Sequence, residues 1–124
     1  MIIAGDPYND GLNDEMSDTF FKCFKRLGLS FSNCRLVDHR QPYVTKEEIS
    51  QCSLIMLAGG HVPTQNHFFH EIHLKELLED YQGVILGVSA GSMNAATYVY
   101  SQPKCPGEAL DPHYTRWMEG LGLC

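Results

Sequence analysis

Gly83-Val84-Ile85-Leu86-Gly87-Val88-Ser89-Ala90-Gly91-Ser92-Met93-Asn94-Ala95-Ala96, residues 83–96, is the stretch whose reading decides the fold. It opens as an apolar run, tightens through Gly87 to Gly91, and continues with helix-compatible residues. That order is strand, sharp turn, helix, with Ser89 at the apex. A G-x-S-x-G elbow needs glycines because the turn is strained and leaves no room for side chains beside the serine. The turn lifts the hydroxyl clear of the sheet edge. It also leaves the Ala90 N–H free at the helix N-terminus, where it can stabilise an oxyanion. The competing plain reading is a small-residue turn from strand to helix.

Working outward, a second apolar run, Leu54-Ile55-Met56-Leu57-Ala58, ends in Gly59-Gly60. Runs of this kind are buried strands of parallel sheets. Met1 to Ala4 reads as a further short strand and Leu29 to Val37 as another. Between them lies a helix capped by Asn13, with Met16, Phe20, Phe24 and Leu27 on its apolar face and Gly28 at its C-terminal turn. Thr45-Lys46-Glu47-Glu48 has the capping-box pattern and predicts a helix to about Gln51. A helix from Pro63 or Thr64 breaks near His73, and a last short helix is expected over Tyr114 to Met118. Strands alternating with helices predict an α/β fold, a parallel sheet flanked by helices in a three-layer sandwich. Ligands in such sheets bind beyond the carboxyl ends of the strands. The tips at Gly59-Gly60 and Gly87 to Gly91 therefore share one crevice.

The bulk numbers narrow the function. With 124 residues the chain is a single domain. A formal net charge of −6 argues against nucleic acid or an anionic membrane surface as partner. No apolar run has the length of a membrane span, and the first residues lack the basic start of a signal peptide. The five cysteines, Cys23, Cys34, Cys52, Cys105 and Cys124, are odd in number and hold no CxxC pair. Reduced thiols in a cytoplasmic setting fit that pattern, with Cys23 and Cys34 as small buried hydrophobes.

A serine nucleophile needs a base and a group that orients the base. Ser89 is the candidate nucleophile, and Ala90 and Gly60 are candidate oxyanion donors. Glu108 and Asp111 are both placed to be the acid. The only histidine after the serine is His113, in an Asp-Pro-x-Tyr surface context.

Leu57-Ala58-Gly59-Gly60-His61, Gln65-Asn66 and Gly87-Val88-Ser89-Ala90-Gly91-Ser92-Met93-Asn94 together resemble the dipeptidase E (aspartyl dipeptidase) family of serine peptidases, relatives of cyanophycinase. The segment from Tyr100 through Glu108 and Pro112 to Leu123 also resembles bacterial members. The resemblance implies a flavodoxin-like sheet related to class I glutamine amidotransferases, with serine in place of their cysteine. It implies Ser89 as nucleophile, Gly60 and Ala90 as oxyanion donors and Glu108 as an acidic partner. It implies short peptides with an N-terminal aspartate, or aspartyl-linked substrates, and no cofactor or metal. The family's histidine lies on a strand after the Gly-Leu-Gly-Leu segment. The chain, which starts within a strand and stops at Cys124, then reads as a fragment of a larger peptidase domain. Exposed apolar ends predict self-association, as in a homo-oligomer, or poor solubility.

Other clusters have plainer readings. His67, His70 and His73 spread over a helix face and read as solvated, although their spacing invites a metal. His61 either lines the substrate pocket or is a loop residue. Asp6, Asp10, Asp14 and Glu15 fit turn and helix-start chemistry. Tyr114 and Trp117 read as packing residues. Arg116, Lys104 and Arg40 are the cations that could meet a substrate carboxylate. Two rival functions stand beside the peptidase: an inactive module lacking its base, and an α/β-hydrolase esterase. The esterase fits less well, because such enzymes take their second oxyanion donor from much further upstream than Gly59-Gly60.

Overall fold

The computed structural model describes residues 1–104 and 106–124. Its elements run β1 (Ile2–Ile3), α1 (Asp10–Arg26), β2 (Leu36–Val37), α2 (Lys46–Gln51), β3 (Leu54–Leu57), α3 (Val62–Glu71), α4 (Leu74–Leu78), β4 (Val84–Gly87), α5 (Ala90–Asn94), β5 (Tyr98–Tyr100) and β6 (Trp117–Glu119). β1 to β4 form one parallel sheet in the order β2-β1-β3-β4. Chain order and spatial order part at β1, so the crevice between β1 and β3 is the topological switch point. β5 and β6 pair antiparallel as a separate hairpin.

Alternation along the strands splits the core into two layers. Ile2, Met56 and Ala58 face α1 and pack against Met16, Phe20 and Phe24. Ile3, Val37, Ile55 and Leu57 face the other way, onto Ile49 of α2, Phe68 and Phe69 of α3, and Leu74 and Leu78 of α4. Each of those phenylalanines contributes about 1.5–3 kcal/mol by leaving water. α1 covers only part of its face. Val84 and Leu86 of the edge strand β4 remain 61% and 39% exposed.

Several expectations change in detail. Asn9, not Asn13, caps α1, its side chain accepting the Leu12 N–H. Asn13 lies one turn inside and is buried, donating through Nδ2 to the Asp6 carbonyl at 2.9 Å. The strand expected over 29–37 shrinks to Leu36–Val37, because β1 offers only two residues to pair and Ser30, Ser32 and Asn33 favour irregular backbone. Leu27 and Cys23 are exposed, since α1 rolls them away from the sheet; Cys34 packs partly beneath it. Cys105 lies outside the described residues.

The C-terminal third differs most. No helix forms over 114–118. Trp117–Glu119 is strand β6, paired with Tyr98–Tyr100, and Trp117 is 67% exposed. The alternation of Trp117, Met118 and Glu119 explains this: Met118 turns toward Val99, Val62 and Ala90, and its neighbours turn outward. Gly120 to Leu123 lies along the end of α5, with Leu121 N–H bonded to Asn94 O at 2.9 Å and Leu123 N–H to Ala95 O at 2.8 Å.

Candidate active site

Register builds the site before any side chain does. β3 and β4 pair with Leu57 level with Gly87. Two residues further on, Gly59 comes level with Ser89. A Cβ built on Gly59 would stand 3.3 Å from Ser89 Cβ and 3.4 Å from Val88 O. The diglycine tip and the serine thus share one rim of the sheet, as the spacing of the two motifs predicts.

Ser89 is exposed at the start of α5 with φ 49° and ψ −112°. Of the described non-glycine residues only His73 shares a positive φ. Such a conformation costs on the order of 1–3 kcal/mol. Gly87 and Gly91 are needed for another reason, which is proximity. A Cβ on Gly87 would meet Ser92 Cα at 2.8 Å, and one on Gly91 would fall on the Leu57 carbonyl. The two glycines let α5 lie directly on the ends of β3 and β4, and the residue between them absorbs the strain.

Ala90 is fully buried, and among the described residues its N–H meets no acceptor. Gly91 N–H bonds back to Val88 O at 2.9 Å and Met93 N–H to Ser89 O at 3.1 Å. A buried amide without an acceptor is rare in a folded chain. The Gly60 N–H likewise has no acceptor among the described residues. Ser89 makes no side-chain cap to its own helix.

Glu108 comes to the same tip from far along the chain. It opens a 3-10 turn over Glu108–Leu110, in the loop that joins β5 to β6. Its Oε1 lies 2.7 Å from His61 Nε2, and its Oε2 accepts the Lys104 N–H at 2.7 Å. The other imidazole nitrogen, Nδ1, lies 2.8 Å from Thr64 Oγ1 on the first turn of α3. The loop itself is fastened by Tyr114, whose hydroxyl donates to Ser101 O at 2.8 Å. His61 was legible as a residue beside the glycines, but its union with Glu108 depends on a fold-back no local pattern encodes.

Beneath the rim lies a buried amide network. Gln65 Nε2 donates to Ala58 O at 2.6 Å. Asn94 Nδ2 donates to Gln65 Oε1 at 3.0 Å and to Val62 O at 3.2 Å. Asn66 Nδ2 donates to Asn94 Oδ1 at 3.2 Å and to Glu119 O at 2.8 Å. The network joins β3, α3, α5 and β6. Its only trace in the sequence is amides standing where α3 would otherwise place apolar side chains.

The remaining candidates sit elsewhere. Asp111 accepts the His113 backbone N–H at 2.8 Å, and His113 is exposed. His67, His70 and His73 are exposed on and just beyond α3, and His70 Nε2 approaches Glu119 O at 3.1 Å. Arg40 is committed to carboxylates, with Asp14 and Asp38 each 2.6 Å from Nη2 and Asp10 3.6 Å from Nε. Burial alone would raise the Asp38 carboxyl, but hydrogen bonds and charge from Arg40 outweigh it and hold the group below its ordinary value. The Arg40 hydrogen bond likewise lowers Asp14. Asp10, expected at the helix start, also meets His39 Nε2 at 2.7 Å. Arg40 is therefore occupied as a clasp between β2 and α1, which leaves Arg116 and Lys104 as the candidates for a substrate carboxylate.

Among the described residues no helix is long and apolar enough to cross a membrane. No family model matches the chain, and no curated protein matches it.

Proposed function

We propose that the chain carries a serine acyl-transfer centre of the dipeptidase E type, hydrolysing short peptides with an N-terminal aspartate. The observation that carries this reading is the pairing of a strained, exposed Ser89 with the buried, acceptorless N–H of Ala90. Strain of this kind is kept where the surrounding structure holds a residue for a purpose. Ser89 Oγ attacks the scissile carbonyl carbon, and the carbonyl electrons move onto oxygen. The Ala90 and Gly60 N–H groups receive that charge. Collapse expels the amine and leaves an acyl-Ser89 ester, which water then cleaves.

No cofactor enters this scheme. The substrate carboxylate would be met by Arg116 or Lys104. The reading takes the chain to work in the cytoplasm, with a small peptide as its partner.

The test is labelling with a fluorophosphonate, with the adduct mapped by mass spectrometry and Ser89→Ala as control. A Ser89 adduct, absent from the control, is expected. Intact folded protein with no adduct would remove the reading. Release of aspartate from an aspartyl dipeptide tests the substrate class. An inactive module with the same fold is the second reading, and one observation favours it: among the described residues no histidine nitrogen is bonded to the Ser89 hydroxyl.

A further inference from the structure

We infer that Gly5 is a positioning residue for the oxyanion site, seating the peptide between Gly59 and Gly60 so that its N–H turns toward Ser89; this rests on the acyl-transfer reading above. β1 and β3 form a regular parallel ladder as far as their tips. Met56 N–H donates to Met1 O at 2.9 Å and Ala58 N–H to Ile3 O at 3.0 Å. Amides on one side of a strand recur every second residue, so the next rung is Gly60 N–H to Gly5 O. Among the described residues that bond does not form, although Gly5 O lies only 2.6 Å from the Cβ position of Gly60. A side chain bridges the strand ends instead: Gln65 Nε2 lies 2.6 Å from Ala58 O and 3.4 Å from Ala4 O.

A rung lost between residues in contact means that the peptide has turned over. Its oxygen marks the new direction. The Cβ position of Gly5 falls on the Gly59 carbonyl, nearer its oxygen than its carbon, with the Gly60 nitrogen further off at 3.0 Å. The peptide is trans, so the Gly60 N–H points opposite to that oxygen, away from β1. Ser89 stands on that side, its Cβ 3.3 Å from the Cβ position of Gly59. The seat for the oxygen exists only because residue 5 has no Cβ. In Gly5→Ala the oxygen must leave as the tips part. The peptide then rolls back to the ladder's orientation, and its N–H is spent on the carbonyl of residue 5 rather than on an oxyanion.

The test follows the Gly60 and Ala90 amide protons by NMR, beside the fluorophosphonate labelling rate at Ser89, in the native chain, Gly5→Ala and Gly11→Ala, each checked for folding by circular dichroism. In the unreacted native chain the Gly60 amide should exchange freely with solvent. In the adduct the phosphoryl oxygen stands for the oxyanion, and the Gly60 and Ala90 protons should both move downfield. Gly5→Ala should label about a hundredfold more slowly, the cost of one oxyanion donor. Its Gly60 amide should be protected before any reagent is added, and only Ala90 should move in the adduct. Gly11→Ala should label at the native rate. If Gly5→Ala does not fold, the two native-chain amide readings decide by themselves.

A Gly60 amide that is protected in the unreacted native chain, or unmoved in the adduct, would overturn the inference and leave the acyl-transfer reading standing. So would a folded Gly5→Ala variant that labels at the native rate. Slow labelling with the Gly60 amide still open in that variant would also overturn it, because Gly5 would then act through packing alone. A native chain that does not label at all removes the acyl-transfer reading and this inference together.

Discussion

The carbonyl oxygen of Gly59 occupies the place that a Cβ on Gly5 would need. Gly5 follows β1 and Gly59 follows β3, so the two tips meet backbone to backbone at the switch point. Gly60 closes the same contact from the other side, with Gly5 O 2.6 Å from its Cβ position. Gly5→Ala must therefore push β1 and β3 apart where the crevice forms. The expected loss is about 1–3 kcal/mol in urea denaturation. Gly11→Ala is the contrast: it lies in α1 with nothing within 4 Å of its Cβ position, and should gain about 0.5–1 kcal/mol.

Ser89 stores strain that a glycine would release. Ser89→Gly should raise the melting temperature and stabilise the chain by about 1 kcal/mol, while Ser89→Ala leaves stability nearly unchanged. Both should abolish fluorophosphonate labelling. A glycine variant no more stable than the alanine variant would show that the φ of 49° carries no cost here.

Asn94 is the hub of the buried amides. Asn94→Ala strands Gln65 Oε1, Asn66 Nδ2 and the Val62 carbonyl together, and should cost about 2–4 kcal/mol. Combining it with Gln65→Leu should cost less than the sum of the two single changes, by at least about 0.5 kcal/mol. A thermodynamic cycle from urea melts measures this coupling.

Asp38 sets an acid limit on stability. Its folded carboxyl titrates below the ordinary 3.8, so the folded state binds its proton less readily than the unfolded chain does. The Arg40–Asp38 contribution is complete above about pH 5 and fades as pH falls through the lower folded value. Arg40→Gln should thus destabilise near neutrality, and the gap to the native chain should narrow as pH falls below the ordinary 3.8. Melting curves across that range decide it. A gap independent of pH would assign the role of Arg40 to packing rather than to charge.

Much of the scaffold was legible because its signals are local. The run Leu54 to Leu57, the Thr45 capping box and the break at His73 each depend on a few neighbours and reappear in place. The closeness of Gly59 and Ser89 followed from two motifs ending adjacent parallel strands. What escaped is non-local. Glu108 meets His61 across 47 residues, and Asn66 meets the carbonyl of Glu119 across 53. The β5–β6 hairpin escaped for a related reason. Its partners are separated by a long loop, and Trp117 to Glu119 is too short to show a period by itself.

The outer rim of β4 has no neighbouring strand among the described residues, and two aliphatic side chains stand beside it in water. Backbone donors and acceptors left open in this way form a template on which another copy can anneal. Preparations should therefore grow turbid as concentration rises, and Leu86→Lys should keep them dispersed in light scattering while leaving the bend at Ser89 intact.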